Sequence, residues 1–168
     1  MSRLLAARPD LHLSVSATTR RARPDEVEGR HYYFVDPDTF DRLMAAGGLL
    51  EWAEIFGNRY GTPREPVERA LARGLDVVVE IDVQGARQIR AVCPDAFMVF
   101  IKPPSLDELE RRLRSRGTET DEQVRRRLTK AADELAAEPE FDAVVVNDVL
   151  DDAALQVIEI LDGLKRVR

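Results

Sequence analysis

The apolar positions of the chain change period several times, and each change marks an element. Leu11, Leu13 and Val15 alternate with other residues, which predicts a strand over 11–16. The run ends in small hydroxyl residues and passes into Arg20-Arg21-Ala22-Arg23-Pro24, a segment that Pro24 and Gly29 keep from being helical. His31-Tyr32-Tyr33-Phe34-Val35 has the aromatic content of a second strand. Asp36-Pro37 supplies an N-cap and a first-turn proline for a helix over 38–46, which Gly47-Gly48 stops. A strand over 49–56, a tight turn at 57–61 and a capping box at Thr62-Pro63-Arg64-Glu65 follow, the last opening a helix that ends at Gly74.

From there the pattern becomes a repeated apolar run followed by a helix. Residues 75–81, with Val77, Val78 and Val79, read as a strand buried on both faces, ending in Glu80-Ile81-Asp82 before a helix to 92. Residues 96–101 are a second such strand. Ser105-Leu106-Asp107-Glu108 caps a helix to Arg116, Gly117 closes it, and Thr120-Asp121-Glu122-Gln123 caps another to 137. Residues 141–146 form a third buried strand ending in Asn147-Asp148, and a helix fills 151–167. At the start, residues 2–8 read as the end of an amphipathic helix stopped before Pro9. Apolar strands alternating with helices predict right-handed βαβ units, hence an α/β three-layer fold around a parallel sheet. The whole of 1–168 reads as one domain with a small inserted lobe at about 34–62 and a helical hairpin at about 105–130.

Composition narrows the partners. No apolar run approaches the roughly 20 residues of a membrane helix, and the start of the chain carries no secretory pattern. The single Cys93 rules out an internal disulfide framework and suits a reducing compartment, so the cytoplasm is expected. His12 and His31 have no partner at metal-ligand spacing, and no metal site is expected. With 31 acidic against 25 Lys and Arg residues the net charge is −6, unlike a nucleic-acid binder.

Three groups of residues could carry chemistry at the carboxyl ends of the strands, where open parallel sheets bind ligands. Ser16, Arg20, Arg23 and Tyr32 bring a hydroxyl, guanidinium forks and a phenol to one irregular loop, equipment suited to a phosphate monoester and equally to a solvated basic surface. Asp82 follows a buried strand, where P-loop kinases keep an acid near Mg²⁺ and where the helix behind it also needs a cap. Arg112 and Arg116 share a helix face, with Arg127 on the next helix; an anion or the neighbouring glutamates would offset their mutual repulsion.

Read together, these segments resemble the guanylate kinase family. The resemblance rests on Ser16-Ala17-Thr18-Thr19-Arg20-x-x-Arg23-Pro24-x-Glu26-x-x-Gly29-x-x-Tyr32-x-Phe34-Val35, on Glu51-Trp52-Ala53 with Gly57-Asn58-x-Tyr60-Gly61-Thr62, and on Ile81-Asp82-x-Gln84-Gly85. Pro103-Pro104-Ser105, Arg116-Gly117-Thr118-Glu119-Thr120 and Val146-Asn147-Asp148 extend it, in order, over residues 9–162. It implies a P-loop nucleoside-monophosphate-kinase fold and transfer of the ATP γ-phosphoryl group to GMP with Mg²⁺, giving GDP and ADP. Arg20, Arg23, Tyr32 and Tyr60 would hold the GMP phosphate, and Ser16, Glu51, Thr62 and Asp82 would read guanine. Arg112, Arg116 and Arg127 resemble the lid arginines, and Asn147 and Asp148 would lie near adenine. The family's G-x-x-x-x-G-K-[ST] loop does not occur in these 168 residues, and Met1–Leu5 aligns with the helix after it. A start upstream of Met1, or a catalytically inactive GMP-binding or protein-interaction relative, would account for that. The intact GMP-reading set favours the former, and the chain as it stands is expected to be poorly stable and inactive.

Overall fold

The structure is a computed structural model that describes residues 1–115, 117 and 120–165. In chain order its elements are α1 (Ser2–Ala7), β1 (Leu11–Leu13), β2 (Ala17–Thr18), β3 (Tyr33–Phe34), α2 (Pro37–Ala45), β4 (Leu49–Ile55), β5 (Asn58–Pro63), α3 (Arg64–Ala72), β6 (Asp76–Val78), α4 (Val83–Val92), β7 (Val99–Lys102), α5 (Leu106–Ser115), α6 (Asp121–Leu135), β8 (Ala143–Val146) and α7 (Leu150–Lys165), with a 3₁₀ turn at Glu138–Glu140. They fall into two compact units, Arg8–Ala96 and a second made of Met1–Ala7 with the chain from Phe97 onward.

The unit Arg8–Ala96 holds two sheets. In one, β1 and β6 pair in parallel, Leu11 opposite Asp76 and Leu13 opposite Val78, and the backbone N–H of Ser14 extends the ladder to the Val78 carbonyl at 2.9 Å. In the other the strand order is β3-β2-β5-β4, with β2 parallel to β3 and the remaining pairs antiparallel. Helix α2 covers this sheet. Asp36 caps it, its carboxylate accepting from the Thr39 N–H at 2.7 Å, and Pro37 starts the first turn where its missing N–H is not needed. Phe40 on α2 is completely buried and packs with Ala17 and Leu49, flanked by Tyr33, Val35, Leu43 and Met44.

Several boundaries differ from the sequence reading, each for a physical reason. The hairpin between β4 and β5 turns at Phe56-Gly57, both at positive φ, as two-residue hairpin turns require, so Asn58–Pro63 is strand and not turn. Thr62 therefore lies inside β5 and does not cap α3: Pro63 is the N-cap residue, with no side-chain hydrogen bond. The aromatic strand shortens to Tyr33–Phe34. Among the described residues β6, β7 and β8 each have one strand neighbour, so the strands read as buried on both faces are covered less: Val77 and Val78 are half-buried, and Ile101, Val144 and Val146 are exposed.

In the second unit β7 and β8 pair in parallel from Val99–Ala143 to Lys102–Val146, and α1 packs on α7 with Leu4 buried. Helices α5 and α6 form a hairpin closed on Leu113 and Val124. The Ser105 hydroxyl accepts from the Glu108 N–H at 3.1 Å, as read from the sequence. Thr120 and Gln123 form a reciprocal capping box at the start of α6, again as read. The α/β class with parallel strand pairs is thus the one the sequence predicts.

Phe40 joins α2 to the sheet below it, so Phe40→Ala is expected to cost about 3–5 kcal/mol. A urea unfolding series read by tryptophan fluorescence of Trp52 checks this.

Candidate active site

The β4–β5 pair and the first turn of α4 bring three of the expected residues together, Glu51, Thr62 and Asp82. Buried positions alternate along β4 at Leu49, Glu51 and Ala53, so a carboxylate occupies a register otherwise given to apolar side chains. A register shift between Leu49 and Glu51 leaves Glu51 opposite Thr62 of β5. Glu51 is 4% exposed and Thr62 completely buried, and the Thr62 hydroxyl donates to Glu51 Oε1 at 2.6 Å. Burial pushes the Glu51 carboxyl above the ordinary carboxylate range; the hydrogen bonds from Thr62 oppose this, and the charge of Asp82 adds to it. Asp82 caps α4, its Oδ1 accepting from the Gly85 N–H at 3.0 Å, so the capping role read from the sequence is realised while the carboxylate still acts on Glu51. Ser16 lies half-buried between β1 and β2, held through its carbonyl by the Tyr33 N–H at 2.9 Å.

The arginine loop is more ordered than a solvated basic surface. Arg20 donates from both terminal nitrogens to the Glu26 carboxylate, at 2.9 and 2.7 Å, and to the Arg21 carbonyl at 2.7 Å. These bonds use three of the five N–H donors of a guanidinium. Its carbon lies 5.4 Å from the centre of the Tyr32 ring and 5.9 Å from that of Phe34. Tyr60 meets Tyr32 edge-on at 6.0 Å between centroids. Glu26 also accepts from the Arg23 backbone N–H at 2.7 Å, while Arg23 itself is exposed. The hydrogen bonds from Arg20 hold the Glu26 carboxyl down to about 2, and Glu26 in turn raises Arg20. Burial raises the Tyr32 phenol, helped by Tyr60 and Glu80, which keeps it a protonated donor.

In the second unit, Arg112 on α5 donates to Glu108 at 2.6 Å, to the Asn147 carbonyl at 2.6 Å and to the Asp148 carbonyl at 2.9 Å. It thereby joins two groups that the sequence analysis treats separately, the arginine hairpin and the end of β8. Arg127 lies half-buried on α6. Arg116 falls outside the described residues.

Three contributors escape the sequence reading of roles. Glu26 stands in the quoted motif, and its spacing of six from Arg20 and three from Arg23 is the signal that it pairs with that loop. Gly85 and Gln88 are the others: Gln88 accepts from the Trp52 N–H at 3.1 Å and donates to the Trp52 carbonyl at 2.7 Å, fixing α4 to β4 beside Glu51.

An α/β fold with parallel strand pairs suits a nucleoside monophosphate kinase, and comparison with known proteins places the chain in that class. The protein-family model described as guanylate kinase matches residues 1–164. The chain is 59% identical over 157 residues to a guanylate kinase of Synechococcus sp. (strain CC9902), covering 94% of this chain and 84% of that one. It is 56% identical over 154 residues to one of Thermobifida fusca (strain YX), covering 92% and 79%. The crystal structure of guanylate kinase from Anaplasma phagocytophilum superposes with a TM-score of 0.81 at 36% identity, over 96% of this chain and 80% of that one. The chain belongs to the guanylate kinase family, and its function is that of a guanylate kinase. Nothing in these similarities favours the inactive relative.

The depressed Glu26 carboxyl gives a pH prediction. Because its folded value of about 2 lies below the ordinary 4.5, the Arg20–Glu26 contribution to stability is full above about pH 4.5 and is lost as pH falls toward 2. Carboxyl NMR titration should show one glutamate titrating near 2, returning toward 4.5 in Arg20→Ala.

Proposed function

We propose that this chain binds GMP on the sheet carrying Glu51 and Arg20, and that it phosphorylates GMP from ATP when joined to the G-x-x-x-x-G-K-[ST] loop that these 168 residues do not contain. Glu51, Thr62, Ser16 and Asp82 read guanine; Arg20, Arg23, Tyr32 and Tyr60 hold the phosphate. Arg112, Arg116 and Arg127 neutralise charge on the transferring phosphoryl group, and Asn147 and Asp148 lie near adenine. The observation that carries the reading is the buried Glu51 carboxylate with Thr62 at 2.6 Å.

A carboxylate out of water is costly unless a donor set meets it. Guanine offers adjacent N1–H and N2–H donors that a carboxylate accepts together. The Thr62 hydroxyl, its proton committed to Glu51, presents only lone pairs, so it too accepts from the base. The O6 acceptor of guanine then needs a donor from elsewhere, a role the Ser16 hydroxyl can fill. Adenine has no matching pair of ring donors, and Glu51 would remain buried and unmet. Discrimination of this kind, where a site built for hydrogen bonds rejects the analogue lacking them, is the strong kind.

On the phosphate side the work is electrostatic. Arg20 is pre-oriented by Glu26 and stacked beside Tyr32, so its fork is set before a phosphate arrives. Tyr32 and Tyr60 add phenolic donors, and Arg23, exposed like Arg21, adds a cation at the loop surface. In the second unit Arg112 is anchored by Glu108, which sets it on the face of α5 toward the end of β8. The Mg²⁺ used in phosphoryl transfer accompanies the triphosphate and neutralises charge on its oxygens. Among the described residues no group of three or more His, Cys, Asp or Glu is arranged to hold a metal, so no ligand is assigned to it.

Two substitutions test the reading. Glu51→Gln leaves guanine donors unmet, a loss of about 1–3 kcal/mol, so the ratio of kcat/KM for GMP over AMP should fall about ten- to hundredfold. An unchanged ratio overturns the assignment. The same variant should melt higher without ligand at neutral pH. The raised carboxyl binds protons more tightly folded than unfolded, so burying the charged form lowers stability as pH rises past the ordinary carboxylate value. Arg20→Lys keeps the charge but loses the planar fork, and the KM for GMP should rise about tenfold.

A further inference from the structure

The first turn of α4 contains a glycine whose backbone conformation does not call for one. Gly85 is the third residue of the helix and does not have a positive φ. Glycine is among the poorest helix formers, so its presence there weakens α4 relative to alanine. What the position lacks is space. A Cβ at residue 85 would meet Glu51 Oε2 closer than any real carbon contact, and would lie 3.0 Å from Glu51 Cδ and 3.1 Å from Ile81 Cβ. The other side of the same residue is also engaged: the Gly85 N–H donates to Asp82 Oδ1 at 3.0 Å. Gly85 therefore sits between the two acids of the base-reading group, one held by its amide and the other resting where its side chain would be.

The strand cannot easily move to make room. One helical turn on, the Gln88 amide clasps both the N–H and the carbonyl of Trp52, the residue next to Glu51, so the spacing of α4 and β4 is fixed there by hydrogen bonds. On the far side of Glu51, Thr62 holds Oε1 at 2.6 Å within β5. A methyl group at residue 85 would have to be relieved by rotating the Glu51 carboxylate away, breaking its geometry with Thr62.

We propose that Gly85 is a positioning residue for base recognition: its missing side chain seats the Glu51 carboxylate against the first turn of α4, with Thr62 and Asp82 on either side. The proposal rests on the reading of Glu51 as the guanine acceptor.

The test is Gly85→Ala in the full chain, alone and combined with Glu51→Asp, whose shorter side chain withdraws the carboxylate from the contact. Gly85→Ala should raise the KM for GMP about ten- to hundredfold, the factor that one unmet buried hydrogen-bonding group commands, while leaving the KM for ATP unchanged. With Glu51→Asp already present, the same glycine substitution should cost little further. Equal losses for GMP and ATP, an unchanged KM for GMP, or the same factor in both backgrounds would overturn the proposal. If Gly85→Ala does not fold, recovery of folding by adding Glu51→Ala supports it, and failure of that double variant to fold overturns it. The two readings fail separately. An unchanged GMP-to-AMP ratio in Glu51→Gln removes the guanine assignment itself, whereas a reduced ratio there with a silent Gly85→Ala removes only the role of the glycine.

Discussion

A single carboxylate kept out of water explains more of this structure than any other group. Glu51 occupies an inward register of β4, where Leu49 and Ala53 show that an apolar residue belongs. Everything around it reduces the cost of that placement without removing it. Thr62 is held in β5 so that its hydroxyl reaches Oε1, which is why it is unavailable to cap α3. Gly61, beside Thr62, has no room for a side chain: a Cβ would lie 2.9 Å from the Glu51 carbonyl and 3.1 Å from Trp52 Cβ. Asp82 stabilises α4 as its N-cap while its charge works against Glu51. An arrangement that raises the energy of an acid and then adds a second acid is a local conflict of the sort that marks functional sites.

The phosphate loop resolves its charges the other way. Arg20 and Glu26 are 18% and 12% exposed at their side chains and joined by two bonds, the fork geometry in which an ion pair contributes to order as well as energy. The pairing also has an electrostatic consequence. A protein of net charge −6 must attract an anionic substrate by local field, and Glu26 removes part of that field at Arg20. What remains is orientation: a guanidinium already held against two aromatic rings loses little freedom when it binds. Arg21 and Arg23, both exposed, supply the charge at the loop surface.

Most of the element order was legible in the chain because period and punctuation agree. Asp36-Pro37, Ser105 and Thr120-x-x-Gln123 start helices where their chemistry says they should. Two failures share a cause, which is that a long-range partner displaced a local one. Thr62-Pro63-Arg64-Glu65 has the composition of a capping box, but the threonine hydroxyl bonds a residue eleven positions earlier. Gly57–Gly61 is rich in turn formers, but a two-residue turn at Phe56-Gly57 satisfies the hairpin twist and the rest pairs with β4. At the site the residue types were readable and their mutual geometry was not. No local rule says that Gly85 faces Glu51, or that Arg112 bonds the carbonyls of Asn147 and Asp148.

That last contact shows that the arginines differ in kind. Arg112 is 32% exposed, Arg114 pairs with Glu110 and Asp121 at 48% exposure, and Arg126 pairs with Glu122 at 66%. Exposed ion pairs of this type are worth about 0–1 kcal/mol each, because solvent and salt replace them nearly as well. Those of Arg114 and Arg126 therefore add little to the hairpin, whereas Arg112, bonded to Glu108 and to the Asn147 and Asp148 carbonyls, is held in place. Arg20 is held likewise: two bonds to Glu26, two aromatic neighbours and partial burial make it expensive to move. The burial of each pair, more than its sequence, assigns which is which.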